Sequence, residues 1–140
     1  MFALDNEDSL RDLYLEGHEA LRGRTMFVSV APEHPAAAWM KANDPVADFD
    51  RIRSLVRAGF LVRTRADANT VQSRQDDPTQ RDKALASGAQ FVSTDYPEPD
   101  VRFSGYHVRL PGGVALRANP VNGPTIAADL EASPAPSNAK

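Results

Sequence analysis

The sequence predicts an α/β protein with parallel strands, and three observations carry that expectation. Short apolar runs alternate with stretches of helical spacing, which is the pattern of consecutive βαβ units. Each apolar run turns polar towards its C-terminal end. Glycine follows two of the helical stretches, at Gly59 and Gly88, where helices commonly end.

Taken in order, Phe2, Ala3 and Leu4 form a short apolar run that ends in Asp5 and Asn6. From Glu7 to Leu21, the residues Leu10, Leu13, Tyr14 and Leu21 recur at helical spacing behind an acidic front, with Asp8 or Ser9 as the cap and Gly17 as a weak point. Thr25 to Val30 reads as the next strand, stopped by Ala31-Pro32. Ala36 to Met40 fits a helical turn or a short buried strand equally well, because periodicity does not separate the two. Asp48 then opens a helix whose apolar face is Phe49, Ile52, Leu55 and Val56. Phe60 to Asp67 reads as a strand, Ala68 to about Gln80 as a polar loop, and Arg81 to Ser87 as a short helix. Gln90 to Thr94 is the last strand, ending at Asp95-Tyr96-Pro97. Tyr106 to Leu110 and Val114 to Arg117 flank Pro111-Gly112-Gly113, which suggests a β-hairpin. From about Thr125 the chain is rich in Ala, Pro, Ser and Asn and reads as a disordered tail. The expected organisation is residues 1–100 as the strand and helix repeat, 101–124 as a hairpin extension and 125–140 as the tail.

Composition narrows the function classes. A hydrophobic fraction of 41% and a charged fraction of 25% suit a globular domain with its own core. A net charge of −3 argues against nucleic-acid binding, which favours a basic stripe. No segment approaches the roughly 18 apolar residues of a membrane span. The first residues lack the basic start and apolar run of a signal peptide. Cysteine is absent, so disulfides, thiolate nucleophiles and Cys-ligated zinc are excluded.

In a parallel α/β protein, functional side chains collect at the C-terminal ends of strands. The candidates there are Asp5, Glu33, His34, Lys41, Asn43, Arg63, Arg65, Asp67, Ser93 and Asp95. The run Arg63-Thr64-Arg65-Ala66-Asp67 is the most informative, because strand alternation puts Arg63, Arg65 and Asp67 on one face. Two guanidiniums and a carboxylate on one face suit a phosphate, with the planar forks as donors and the acid holding them in place. The competing explanation is an Arg–Asp ion-pair network with a purely structural role. Asp5 is a candidate metal or phosphate-site carboxylate, or else a helix cap. Asp95 is a candidate ligand residue, or else the acid of an Asx-type turn before Tyr96-Pro97. Trp39 is expected in the core, and the Asp76-Asp77 pair in a solvated loop. His18 lies in a polar helix, His107 in the hairpin, and His34 in a loop with only Glu33 nearby, so none looks catalytic.

Two stretches, Gly59 to Thr70 (GFLVRTRADANT) and Ala84 to Pro97 (ALASGAQFVSTDYP), together with Leu110 to Gly113 (LPGG) and Arg117 to Val121 (RANPV), resemble a known family. They are similar to the calcium-dependent phosphoinositide-specific phospholipase C-like proteins, within the wider phosphatidylinositol phospholipase C and glycerophosphodiester phosphodiesterase superfamily. The Thr94-Asp95-Tyr96-Pro97 ending is widespread in that superfamily, and the Arg63 to Asp67 run is more particular to the calcium-dependent group. The resemblance spans roughly residues 1–124. It implies the C-terminal half of a TIM-type (β/α)8 barrel, from about the fourth or fifth strand onwards. It further implies a phosphoric diester hydrolase in which one histidine is the base, another the acid, and calcium neutralises the phosphate. The family's histidine motif, which resembles His-Asp-x-His/Asn on the first strands, is missing here, so no catalytic histidine is carried over. The resemblance matches Arg63, Arg65 and Asp67 to the family run at the active-site mouth; with Lys41 and Asp95 from the strand ends they make up the expected substrate-binding set, and Asp5 at the first strand end is the expected metal ligand. Ala118 stands where relatives often have cysteine, which leaves the tail without a disulfide.

A half barrel exposes two sheet edges and apolar surface. The expectation is therefore a piece of a longer protein, a homodimer, or a partner of a separate N-terminal half. The leading function is the substrate-binding half of a hydrolase acting on a phospholipid or related phosphodiester. A non-catalytic module that binds phosphorylated ligands is the alternative from another class, and a glycerophosphodiester phosphodiesterase relative with a water-soluble substrate is the third. The family is commonly secreted, which is the sole pointer to location.

Overall fold

The computed structural model describes residues 1–114 and 117–123. Among them run five short strands: β1 (Phe2–Leu4), β2 (Met26–Val28), β3 (Trp39–Lys41), β4 (Leu61–Arg65) and β5 (Phe91–Ser93). β1 pairs with β2, and β3, β4 and β5 form a second ladder, all of them parallel. A parallel bridge from Ser29 to Trp39 joins the end of β2 to the start of β3. The strands thus lie side by side in chain order. The described residues form two small sheets and no closed barrel.

Four α-helices accompany the strands: α1 (Ser9–Leu15), α2 (Phe49–Arg57), α3 (Val71–Gln75) and α4 (Thr79–Ala86). The core forms where α2 meets the sheet. Ile52, Leu55 and Val56 on one face of α2 pack with Met40 and Ala42 from and after β3 and with Val62 of β4. Met40 and Val62 are in register across the ladder, so one face of two neighbouring strands supplies the other half of the core. Val62, Thr64 and Ala66 are fully buried, which puts Arg63 and Arg65 on the face turned away from α2.

Local chemistry explains most element ends. Asp8 caps α1 by accepting the Leu10 N–H at 3.1 Å. The helix stops at Leu15, well short of the expected Leu21, with Gly17 at φ +70° just after it. Asp48 occupies the N-cap position of α2 but makes no capping bond there. Asp44 does the equivalent work one turn earlier, accepting the N–H groups of Val46 and Ala47 at 3.1 and 3.0 Å. Gly59, at φ +92°, ends α2 as expected. The Trp39 region is a strand because its backbone finds a partner in β4. α3 lies inside the stretch expected as loop. Asp77, expected to be solvated, accepts the Thr79 N–H at 2.9 Å at the start of α4, and the Thr79 side chain, then this backbone bond, hold its carboxyl below the usual range.

The expected hairpin is corrected. Among the described residues Tyr106 to Leu110 pairs with no strand, and Pro111–Gly113 is a 3-10 turn. The reason is that this segment spends its groups on the sheet's exit: Val108 N–H donates to Tyr96 O at 2.9 Å. Residues 115 and 116 of the proposed second strand, and the 125–140 tail, lie outside the described residues.

Arg117 to Gly123 forms a strap across the C-terminal ends of α2 and α4. The Arg117 guanidinium donates to Leu85 O, Asn119 Nδ2 to Gly88 O at 2.7 Å, and Asn122 Nδ2 to Val56 O at 3.1 Å. The Leu85 carbonyl is one that the end of α4 leaves without an intrahelical partner, and Val121 packs against the core. At the other side of the fold, Phe2, Leu10 and Leu13 stay exposed, so β1 and α1 form an uncovered apolar edge.

Candidate functional site

The C-terminal ends of β4 and β5 form a shallow cleft of about 80 Å³, lined by Arg63, Arg65, Asp67, Ser93, Thr94 and Asp95. Alternation along β4 explains its first three residues, and the parallel register Arg65↔Ser93 explains why β5 supplies the rest. Arg63 donates from Nη1 to Asn43 Oδ1 at 2.8 Å, which steadies one guanidinium without neutralising it. The Arg65 side chain makes no ion pair or hydrogen bond with a described residue. The Arg–Asp network that sequence reasoning held open is not formed among the described residues, since neither arginine approaches Asp67 within ion-pair distance.

Asp67 is buried, at 3% exposure, and its carboxylate is occupied. Oδ1 accepts the Asp95 N–H at 2.8 Å and Oδ2 accepts the Thr94 hydroxyl at 2.5 Å. The Tyr106 hydroxyl lies 3.3 Å from Oδ2 and 3.0 Å from Ala66 O. Burial, helped by the nearby Asp67 charge, pushes the Tyr106 phenol well above its ordinary value, so it stays a neutral donor. The turn after β5 is closed by Thr94, whose Oγ1 accepts the Tyr96 N–H at 2.9 Å. The Asx-type turn considered for Asp95 is therefore made by a threonine. Asp95 itself is exposed at the cleft edge.

Lys41 and Asp5 meet elsewhere on the rim. Lys41 Nζ contacts Asp5 Oδ1 at 3.2 Å and Glu7 Oε2 at 3.1 Å, and also donates to Asp5 O. Two of these contacts are hydrogen bonds to Asp5 and the third is an ion pair with Glu7, and the lysine ties the exit of β1 to β3. The structure therefore brings Arg63, Arg65, Asp67 and Asp95 together to line the cleft, while Lys41, the register neighbour of Arg63, is engaged by Asp5 and Glu7 instead. Each histidine serves a local turn. His34 Nδ1 accepts the Ala36 N–H at 3.0 Å, while His18 and His107 bond to the carbonyls of Arg22 and Gly105. None of the three lines the cleft. Tyr106 and Thr94 are the parts that sequence reasoning missed; the Thr94-Asp95-Tyr96-Pro97 motif was the available signal for Thr94.

A two-guanidinium cleft at strand C-termini can neutralise and orient an oxyanion through forked N–H donors. The comparison with known families bears on which oxyanion. The model of the family described as "Phosphoinositide phospholipase C, Ca2+-dependent" matches residues 1–120. The chain belongs to that family. No curated protein and no solved structure matches it. Calcium is the cation in this phospholipase C family's name, and calcium takes about six to eight oxygen ligands. Among the described residues no group of three or more His, Cys, Asp or Glu could hold a metal ion. Asp5 faces an ammonium and Asp67 is filled by donors. The described part of this phospholipase C relative does not by itself assemble a calcium site.

Proposed function

We propose that this chain supplies the phosphate-binding side of a phosphodiester hydrolase of its family, with Arg63 and Arg65 holding the phosphate of a phosphoinositide or related phosphodiester. The observation that carries the reading is Arg65, a guanidinium in a cleft without a partner among the described residues. Arg65 is part-exposed, so its guanidinium fork is open to donate to a ligand that enters the cleft. Arg63, steadied by Asn43, supplies a second fork beside it. The chain's own residues thus bind and orient the phosphate, and no proton transfer is assigned to its histidines. Strands in unbroken parallel order, helices against one face and arginines on the other support reading the fold as the later strands of a TIM-type barrel. On that reading the uncovered edge at Phe2, Leu10 and Leu13 is covered by further β/α units or by a second copy.

The second reading is a module that binds phosphorylated ligands without cleaving them. It is favoured by one observation: all three histidines are engaged in turns away from the cleft. Titration of the chain with inositol 1-phosphate, alongside a hydrolysis assay on phosphatidylinositol, tests both. Charged hydrogen bonds contribute about 1.5–3 kcal/mol each, so Arg65→Ala is expected to weaken binding roughly 10- to 100-fold. Binding without hydrolysis selects the second reading. Binding that survives Arg65→Ala removes the arginines from the site.

A further inference from the structure

The Asp67 carboxylate lines the cleft yet has little capacity left for a ligand. Its oxygens hold the Asp95 N–H, the Thr94 hydroxyl and the edge of the Tyr106 hydroxyl, and a carboxylate has about four lone-pair sites in all. Thr94 relays the constraint by accepting the Tyr96 N–H. One buried acid at the end of β4 therefore sets the backbone of three consecutive residues after β5. The residue whose side chain is left over is Asp95, exposed at the cleft edge and without an ion pair or hydrogen bond to a described residue through its carboxylate.

We infer that Asp67 is a positioning residue, which holds Asp95 at the cleft so that the Asp95 carboxylate selects a phosphate carrying hydroxyl groups over a bare oxyanion. The inference rests on the phosphate-binding reading above. Guanidiniums only donate and ionised carboxylates only accept. A ligand that satisfies Arg63, Arg65 and Asp95 together must offer both an anion and a hydroxyl. Sulfate meets the arginines and is repelled by Asp95. A polyol phosphate places a hydroxyl on Asp95 instead, and there the same negative charge becomes an acceptor. Asp67 and Thr94 contribute only by fixing where that acceptor stands.

The test is the ratio of affinities for inositol 1-phosphate and sulfate, measured by titration calorimetry on the full chain, because a general change in anion affinity cancels in the ratio. Asp95→Ala is expected to lower that ratio about tenfold or more, the loss of one hydrogen bond to a charged group. Thr94→Val removes the relaying hydroxyl at nearly constant shape, and Asp67→Asn removes the anchoring charge. Both are expected to lower the ratio in the same direction, and Thr94→Ser to restore it. On an Asp95→Ala background neither change should move the ratio further. Additive effects there, or a ratio that Thr94→Val leaves at the wild-type value, overturn the inference. Should Asp67→Asn fail to fold, the Thr94→Val and Thr94→Ser pair decides alone. Arg65→Ala separates the two levels. If it abolishes binding of both anions while the ratio is insensitive to Asp95 and Thr94, only the present inference falls. If wild type binds neither anion, or Arg65→Ala changes nothing, the phosphate-binding reading falls and takes this one with it.

Discussion

Replacing Gly88 with alanine puts a methyl group where the C-terminal strap lies. An ideal Cβ at that position stands 2.8 Å from Val121 Cβ and 2.9 Å from Asn119 Oδ1, and closer still to a Val121 methyl. The backbone there is left-handed, at φ +83°, which costs a non-glycine residue roughly 1–2 kcal/mol before any clash. The strap must also move. That loosens the Asn119 bond to Gly88 O, worth about 1 kcal/mol, and lifts the part-buried Val121 from the core, which costs about 0.5–1 kcal/mol, a fraction of what full burial of a valine is worth. Together these give a loss of roughly 3 kcal/mol. Urea unfolding followed by circular dichroism reads it directly. The cleft lies at the opposite ends of the strands from this strap, so folded Gly88→Ala protein should keep its phosphate affinity. A loss under about 1 kcal/mol would mean that the strap does not pack on the helix ends as described.

Three further outcomes are expected. Arg65→Lys keeps the charge and loses the planar fork, so inositol 1-phosphate binding should weaken by about tenfold rather than vanish, as read by calorimetry. Val62→Ala deletes a fully buried side chain between α2 and β3 and should cost about 2–3 kcal/mol in urea unfolding. Tyr106 gives a pH dependence with a fixed sign. Its folded pKa is raised, first by burial and then by the Asp67 charge, above the ordinary value of 10.0. The neutral phenol therefore adds stability in full below about pH 10, and that contribution fades as pH rises further. Tyr106→Phe should flatten the alkaline fall in melting temperature, and an equally steep fall in the variant would remove Tyr106 as its cause.

Much of the cleft's outline was legible along one strand. The split between Val62, Thr64 and Ala66 on one face and Arg63, Arg65 and Asp67 on the other follows from a period of two, which is local backbone geometry. The end of α2 at Gly59 was legible for the same reason, since a left-handed residue is a local demand. α3 was missed because Val71–Gln75 has no apolar stripe; it is held by contacts from afar, such as Ser104 Oγ donating to Ser73 O at 2.7 Å. The hairpin was misread because Pro-Gly-Gly is a turn signal that does not say whether its flanks will pair with each other.

By itself the sequence determined the parallel α/β class, the face that carries the arginines, and the motifs by which the family is recognised. Tertiary structure alone decided the partners: Asn43 for Arg63, Thr94 and the Asp95 backbone for Asp67, and Asp5 for Lys41. Periodicity is a property of neighbouring residues, whereas a side chain's partner depends on which strand lies beside it. That choice is made only when the chain closes contacts between residues far apart in sequence.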